Sequence, residues 1–144
     1  MLTIKLPVNQ IPALWSSIKF ASTRVDAVEV EDKQKYLNKL LVDLLSDKAQ
    51  CFIRIDDDRQ LIALAITHIA VDDVTDDKIL FVRCLYSFRP VSAEQWRSEL
   101  PLVTNFAKIS GCKKIAFKSG SRRVHELATT HGFNEDHRYF VLEV

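Results

Sequence analysis

Few residues in this chain join a reactive group to a setting that could use it. His68 lies inside the apolar run from Leu61 to Ala70. Histidine is the side chain whose ordinary pKa suits a base near neutral pH, although a lone strand histidine more often serves structure. Tyr86 closes the next apolar run, and it or Tyr139 could act as a proton donor. Cys51, Cys84 and Cys112 are odd in number and widely spaced, without a C-x-x-C pair, which reads as buried reduced thiols. Cys84 as a nucleophile lacks any identifiable base. Asp56-Asp57-Asp58 and Asp72-Asp73 with Asp76-Asp77 lack the spacing and terminal Glu of a calcium loop, so both read as solvated turns and no metal site is expected. Lys113, Lys114, Lys118, Arg122 and Arg123 form a basic cluster that could meet a phosphate or an acidic partner, or simply face water.

The elements that must position these residues follow from hydrophobic period. Leu2, Ile4, Leu6 and Val8 alternate as a half-buried strand. Asn9 can cap a helix with Pro12 in its first turn, and Ser22 to Val30 reads as a connection or a frayed end. Asp32 opens a helix with a leucine stripe, Leu37, Leu40, Leu41, Leu44 and Leu45. Cys51–Ile55, Leu61–Ala70 and Ile79–Tyr86 then form an antiparallel meander across the two acidic turns. Ser92 with Gln95 fits a capping box for a helix that Pro101 should kink or split and Gly111 ends. Lys114–Phe117 is a strand, Arg122–Thr130 a helix and Arg138–Val144 a last strand. All three glycines, Gly111, Gly120 and Gly132, fall where a helix stops or a strand turns. The order is β-α-α-β-β-β-α-β-α-β, without repeats or a domain boundary.

At 144 residues, 47% hydrophobic and 27% charged, the chain reads as one globular domain, 1–144, with a real core. Its net charge of +1 counts against nucleic-acid or membrane-surface binding, which usually needs a basic excess. The N-terminus has no apolar h-region of a signal peptide, and a cytoplasmic, reducing setting is the default expectation.

The element order over the whole chain, with the residues from Phe106 onward, resembles the GNAT superfamily of N-acetyltransferases. Phe106-Ala107-Lys108-Ile109-Ser110-Gly111-Cys112-Lys113-Lys114-Ile115 looks like the end of that superfamily's third helix and the start of its fifth strand. Val124, Leu127, Gly132 and Phe133 match apolar and Gly-Phe positions of its fourth helix. The resemblance implies an α+β layered fold, with a mixed, mainly antiparallel sheet of six to seven strands and about four helices. It also implies acetyl-CoA or another acyl-CoA as cofactor, with the pyrophosphate on a glycine-rich loop before the third helix. Here that loop is Val91-Ser92-Ala93-Glu94-Gln95-Trp96, and Glu94 and Trp96 fill the glycine positions. A carboxylate repels the pyrophosphate and an indole crowds it.

Residue by residue, the resemblance assigns cofactor contact to Tyr86, Phe88, Arg89, Val91, Ser92, Ala93 and Ser121. The superfamily's carboxylate base maps near Phe81 and its tyrosine acid to Ala128, neither of which can serve. His68 and Tyr86 are the candidate replacements. Because three functional positions are altered together, the expectation is an acetyltransferase-fold protein that has lost catalysis. It would act as a structural or protein-interaction component, of the kind found among small tailed-phage or virion proteins, with a protein partner or a second copy of itself. The alternative is an acyl-CoA-dependent N-acetyltransferase with an atypical loop. The first expects a side-chain-filled cleft, the second an open cleft between the fourth and fifth strands. A nucleic-acid accessory role through the basic cluster is the weakest of the three.

Overall fold

A computed structural model describes residues 2–26, 32–119, 121–135, 138 and 140–144. One five-stranded sheet runs in the order β1 (Leu2–Lys5), β2 (Ala49–Ile55), β3 (Leu61–Val71), β4 (Lys78–Ser87), β5 (Cys112–Phe117). The first four strands are mutually antiparallel, and β5 pairs with β4 in parallel. A parallel neighbour needs a crossover, and α3 (Ala93–Ile109) supplies it. Helices α1 (Ile11–Asp26) and α2 (Lys33–Leu45) cover one face of the sheet. On the other face α3 crosses from β1 to β5, and α4 (Arg122–Thr130) follows β5.

The main core lies under α1 and α2. Ile18, Leu40 and Leu44 are buried against Cys51, Ile53, Leu64, Ile66 and Cys84 from the sheet, as the leucine stripe requires. The alternation of the strands is visible here. Ile53 and Leu64 face this core, whereas Phe52 meets Phe106 of α3, ring to ring at 5.5 Å, on the opposite face. Also on that face Arg54, 7% exposed, is ion-paired with Glu99 of α3 and donates to the Gln95 carbonyl at 3.1 Å. Thr3 Oγ1 donates to the same Glu99 carboxylate at 3.4 Å. A guanidinium taken from water needs such partners, and this pair ties α3 to β1 and β2.

Several boundaries differ from those read in the sequence. The first strand stops at Lys5, and Val8–Gln10 forms a 3-10 turn behind Pro7, so Asn9 sits inside that turn and caps nothing. Helix α1 runs on to Asp26 through the β-branched stretch. Thr23 Oγ1 donates to the Lys19 carbonyl at 2.8 Å, which seats a β-branched polar residue within a helix. Residues 27–31, the rest of that expected connection, lie outside the described residues, as do Gly120 and Tyr139. α3 passes through Pro101 as one helix. Proline removes the bond to the Arg97 carbonyl, but both residues are exposed and solvent can serve that carbonyl.

The sheet has five strands among the described residues, rather than six to seven. Arg138 and residues 140–144 are not in a strand, and Phe140, Val141 and Leu142 are exposed. Strand propensity alone does not make a strand. A ladder needs a partner, and no described residue pairs with this segment. The glycines at the ends of α3 and α4 keep the expected role, with Gly111 at φ +78° and Gly132 at φ +86°, the left-handed conformation that closes a helix.

Leu40 is fully buried between α2 and the sheet. Leu40→Ala is expected to lower the unfolding free energy by about 2–5 kcal/mol, measured by urea denaturation, through lost burial plus the cavity left behind.

Candidate active-site cleft

The sheet opens between β4 and β5. The two strands pair from Lys78 with Cys112 to Val82 with Phe117, and no further. Beyond Val82, β4 continues to Ser87 against β3 alone. The parting coincides with a bulge. Ile66 faces Cys84 and Thr67 faces Val82, so Arg83 is an extra residue in β4. A bulge bends and twists its strand, which here turns the end of β4 away from β5. Among the described residues it leaves the β5-side backbone groups of Arg83–Ser87 without a strand partner.

A cavity of about 350 Å³ occupies this opening, within the usual ~300–1,000 Å³ of small-molecule sites. Its floor is built of two cross-strand pairs, Ala63 with Ser87 and Ala65 with Leu85. Trp96, Leu100 and Val103 of α3 and Val124, Leu127 and Ala128 of α4 form the opposite wall. Leu85 stands mid-sheet on an apolar face and is still 40% exposed, because nothing fills the space above it.

The head of α3 is closed by its own side chains. Ser92 Oγ accepts from the Gln95 amide at 3.1 Å, and Gln95 Oε1 accepts from the Ser92 amide at 2.8 Å. The expected capping box is therefore present, and it occupies two of the amides that would face an anion. Ala93 follows at the first helical position and is exposed, as is Glu94 in the first turn. Trp96 closes the loop that Val91 opens. Its indole packs on Ile62, Ala63 and Val91. The carbonyl of buried Val91 accepts from Arg123 of α4 at 3.2 Å, which links the two helices flanking the cleft. Arg89 is ion-paired with Asp56 in the β2–β3 turn. That acidic turn thus holds the arginine that was a candidate for phosphate. The same carboxylate accepts from the amides of Asp58 and Gln60, and these partners, Arg89 first, hold its pKa below the ordinary carboxylate value. Ser121 caps α4 by accepting from the Val124 amide at 3.5 Å.

The two candidate catalytic residues are not brought together. His68 stands opposite Phe81 and Tyr86 opposite Leu64, four residues apart along β3, or roughly 13 Å at ~3.3 Å per residue. His68 faces the α2 side, its ring tilted against Phe81 at 5.3 Å, in a second pocket with Lys39, Asp43, Asp47, Lys48, Gln50 and Arg83. Its Nδ1 is buried and makes no hydrogen bond. Burial, then the charge of Arg83, lowers its pKa, while Asp43 opposes and Lys39 assists. Tyr86 joins an aromatic cluster with Phe20 and Phe88, at 5.9 and 5.0 Å, where β4 leaves the sheet. Cys51 and Cys84 flank Ile66 on adjacent strands, roughly 10 Å apart at ~4.8 Å per strand, too far for a disulfide. Burial, then Cys84, pushes the Cys51 thiol up to about 12, so it is no nucleophile. Among the described residues no three His, Cys, Asp or Glu side chains gather as a metal site, and no helix is long and apolar enough to cross a membrane.

No protein-family model matches the chain, and none of the curated proteins does. Solved structures do. A probable acetyltransferase superposes with a TM-score of 0.75 at 11% identity, over 100% of this chain and 98% of its own. A predicted acetyltransferase from Clostridium acetobutylicum, solved with acetyl-CoA, gives 0.75 at 17%, over 99% and 95%. An aminoglycoside N-acetyltransferase in complex with CoA gives 0.74 at 15%, over 99% and 93%. At such identities the likeness is one of fold, and it spans the whole chain.

Two measurements follow from these environments. The His68 imidazole is expected to titrate below the ordinary histidine range in an NMR pH series, and Arg83→Met to raise it. Because the folded value is the lower one, the unfolded chain binds the proton more tightly, and the stability that neutral His68 contributes is lost as pH falls below the ordinary histidine value. In native protein at pH 8, iodoacetamide is expected to label the half-buried Cys112 first, and Cys51 and Cys84 only after unfolding, read by mass spectrometry.

Proposed function

We propose, with the GNAT acetyltransferase fold as premise, that this chain binds an acyl-CoA in the β4–β5 cleft and transfers the acyl group to an amine. One observation carries the reading: the cleft is open, with Leu85 exposed in mid-sheet. A fold retained only as a scaffold has no reason to keep an apolar cavity unfilled, since empty apolar volume destabilises a core.

The residues fit an extended thioester arm better than they fit its phosphates. Among the described residues the backbone of β4 from Arg83 to Ser87 has no strand partner on the cleft side, so its amides and carbonyls can pair with the amide groups of such an arm, as a further strand would. The capping box and the Asp56–Arg89 pair leave the Ala93 and Glu94 amides at the head of α3 for the phosphates. That is a looser anion grip than a glycine-rich loop.

An acyl-CoA supplies an activated carbonyl. The β4 amides at the parting are placed to orient that carbonyl and to stabilise charge developing on its oxygen. The apolar walls exclude water from the thioester, which favours the amine over hydrolysis. Ala128 offers no proton to the departing sulfur, and neither His68 nor Tyr86 lines the cavity. The chain's own contribution is therefore positioning and desolvation rather than a paired acid and base.

A second reading is a non-catalytic interaction component, for example in a virion. It is favoured by the missing acid at Ala128 and by the exposed apolar residues Phe140, Val141 and Leu142.

Calorimetric titration with acetyl-CoA separates the two. Micromolar binding is expected, weakened at least tenfold by Ser87→Trp, which fills the cleft floor. Absence of binding at millimolar acetyl-CoA overturns the enzyme reading. Binding without thiol release, across a panel of amines, assigns the cleft to binding alone.

A further inference from the structure

The cavity is larger than an acetyl group requires, and its shape names a donor. From the parting at Val82 and Phe117 it runs under α3 across Ala65 of β3 to Phe52 and Arg54 of β2. Two features make the space. Alanines at positions 63 and 65 of β3 give the sheet a low floor where larger side chains would fill it. Helix α3 reaches from β1 to β5 over this floor, and it is tied to β1 and β2 by the Arg54–Glu99 pair with Thr3 and by Phe106 on Phe52.

We propose that this cavity holds the acyl chain of a medium-length saturated acyl thioester, so that the donor is an acyl-CoA longer than acetyl-CoA. The inference rests on the cleft's being an acyl-CoA site, and it adds the chain length. The walls that such a chain meets are apolar: Phe52, Leu85, Trp96, Leu100, Val103 and Phe117. The far end bears charge, but that charge is already engaged. Arg54 is held by Glu99 and by the Gln95 carbonyl, and a carboxylate at the end of an acyl chain would have to displace Glu99. The cavity therefore selects a plain alkyl chain over a dicarboxylic one. In the transfer, the amine nitrogen bonds to the acyl carbon as the carbon–sulfur bond breaks. The amine's proton passes to solvent, and CoA leaves as the thiol after taking a proton from solvent. The acyl chain stays in the cavity until the amide product departs.

The test is a calorimetric series with CoA, acetyl-, butanoyl-, hexanoyl-, octanoyl- and succinyl-CoA on the full chain. Each buried methylene adds roughly fourfold in affinity at most. Octanoyl-CoA is expected to bind at least tenfold more tightly than acetyl-CoA, with succinyl-CoA no better than acetyl-CoA. Ala65→Phe fills the cavity, and it is expected to abolish the gain in affinity from acetyl-CoA to octanoyl-CoA. The series on the unaltered protein stands even if that variant fails to fold. Equal affinity for acetyl- and octanoyl-CoA, or preference for succinyl-CoA, overturns the chain-length proposal and leaves the acyl-CoA site intact. No binding by any member of the series overturns both.

Discussion

The divergence of β4 from β5 is the constraint on which the rest of this protein depends. Parallel strands left paired along their whole length would bury β4 as a central strand and close the sheet. Here a single inserted residue, Arg83, turns β4 out of register just where pairing with Phe117 ends. Everything that makes a site follows from that: an unpaired run of backbone, an apolar floor open to solvent, and a space bounded by α3 and α4. A β-bulge is a small change in sequence with a large effect in space, because it re-aims every later residue of its strand.

The two faces of the sheet are built to different standards. Under α1 and α2 the core is closely filled, with Ile18, Leu40 and Ile66 at 0% exposure. Under α3 and α4 the helices rest on ring contacts and one buried ion pair, and the middle is open. The pair of Arg54 and Glu99 is a costly way to hold a helix, since both charges leave water. Its value is directional. It fixes α3 over β1 and β2 without filling the space between, which an apolar contact of the same size would do.

The chemistry-bearing residues were the least legible part of the sequence. His68 and Tyr86 stood out by type, but the strand register sets them roughly 13 Å apart. Arg89 looked like a free cation, yet the distant Asp56 claims it. Trp96 looked like an obstacle at the loop, and its indole packs on Ile62, Ala63 and Val91. Each of these outcomes turns on a partner far along the chain. The residues that line the cleft, Ala63, Ala65, Leu85 and Ser87, carry no reactive group and gave no signal. Only their pairing across β3 and β4 makes them a floor.

Local rules decided much. The leucine stripe of α2, the capping box of Ser92 and Gln95 and the glycines ending α3 and α4 are all interactions within a few residues, so the sequence by itself determined them. So was the meander of β2, β3 and β4, because short polar turns leave antiparallel pairing as the simplest arrangement. What tertiary structure alone decided were the pairings between distant segments. These are the parallel join of β4 to β5 and its early end, the bulge at Arg83, and the ion pair that ties α3 to β1 and β2. They also include the failure of residues 140–144 to find a ladder among the described residues. A strand, a cleft and an ion pair each need two partners. A sequence read locally sees one of them at a time.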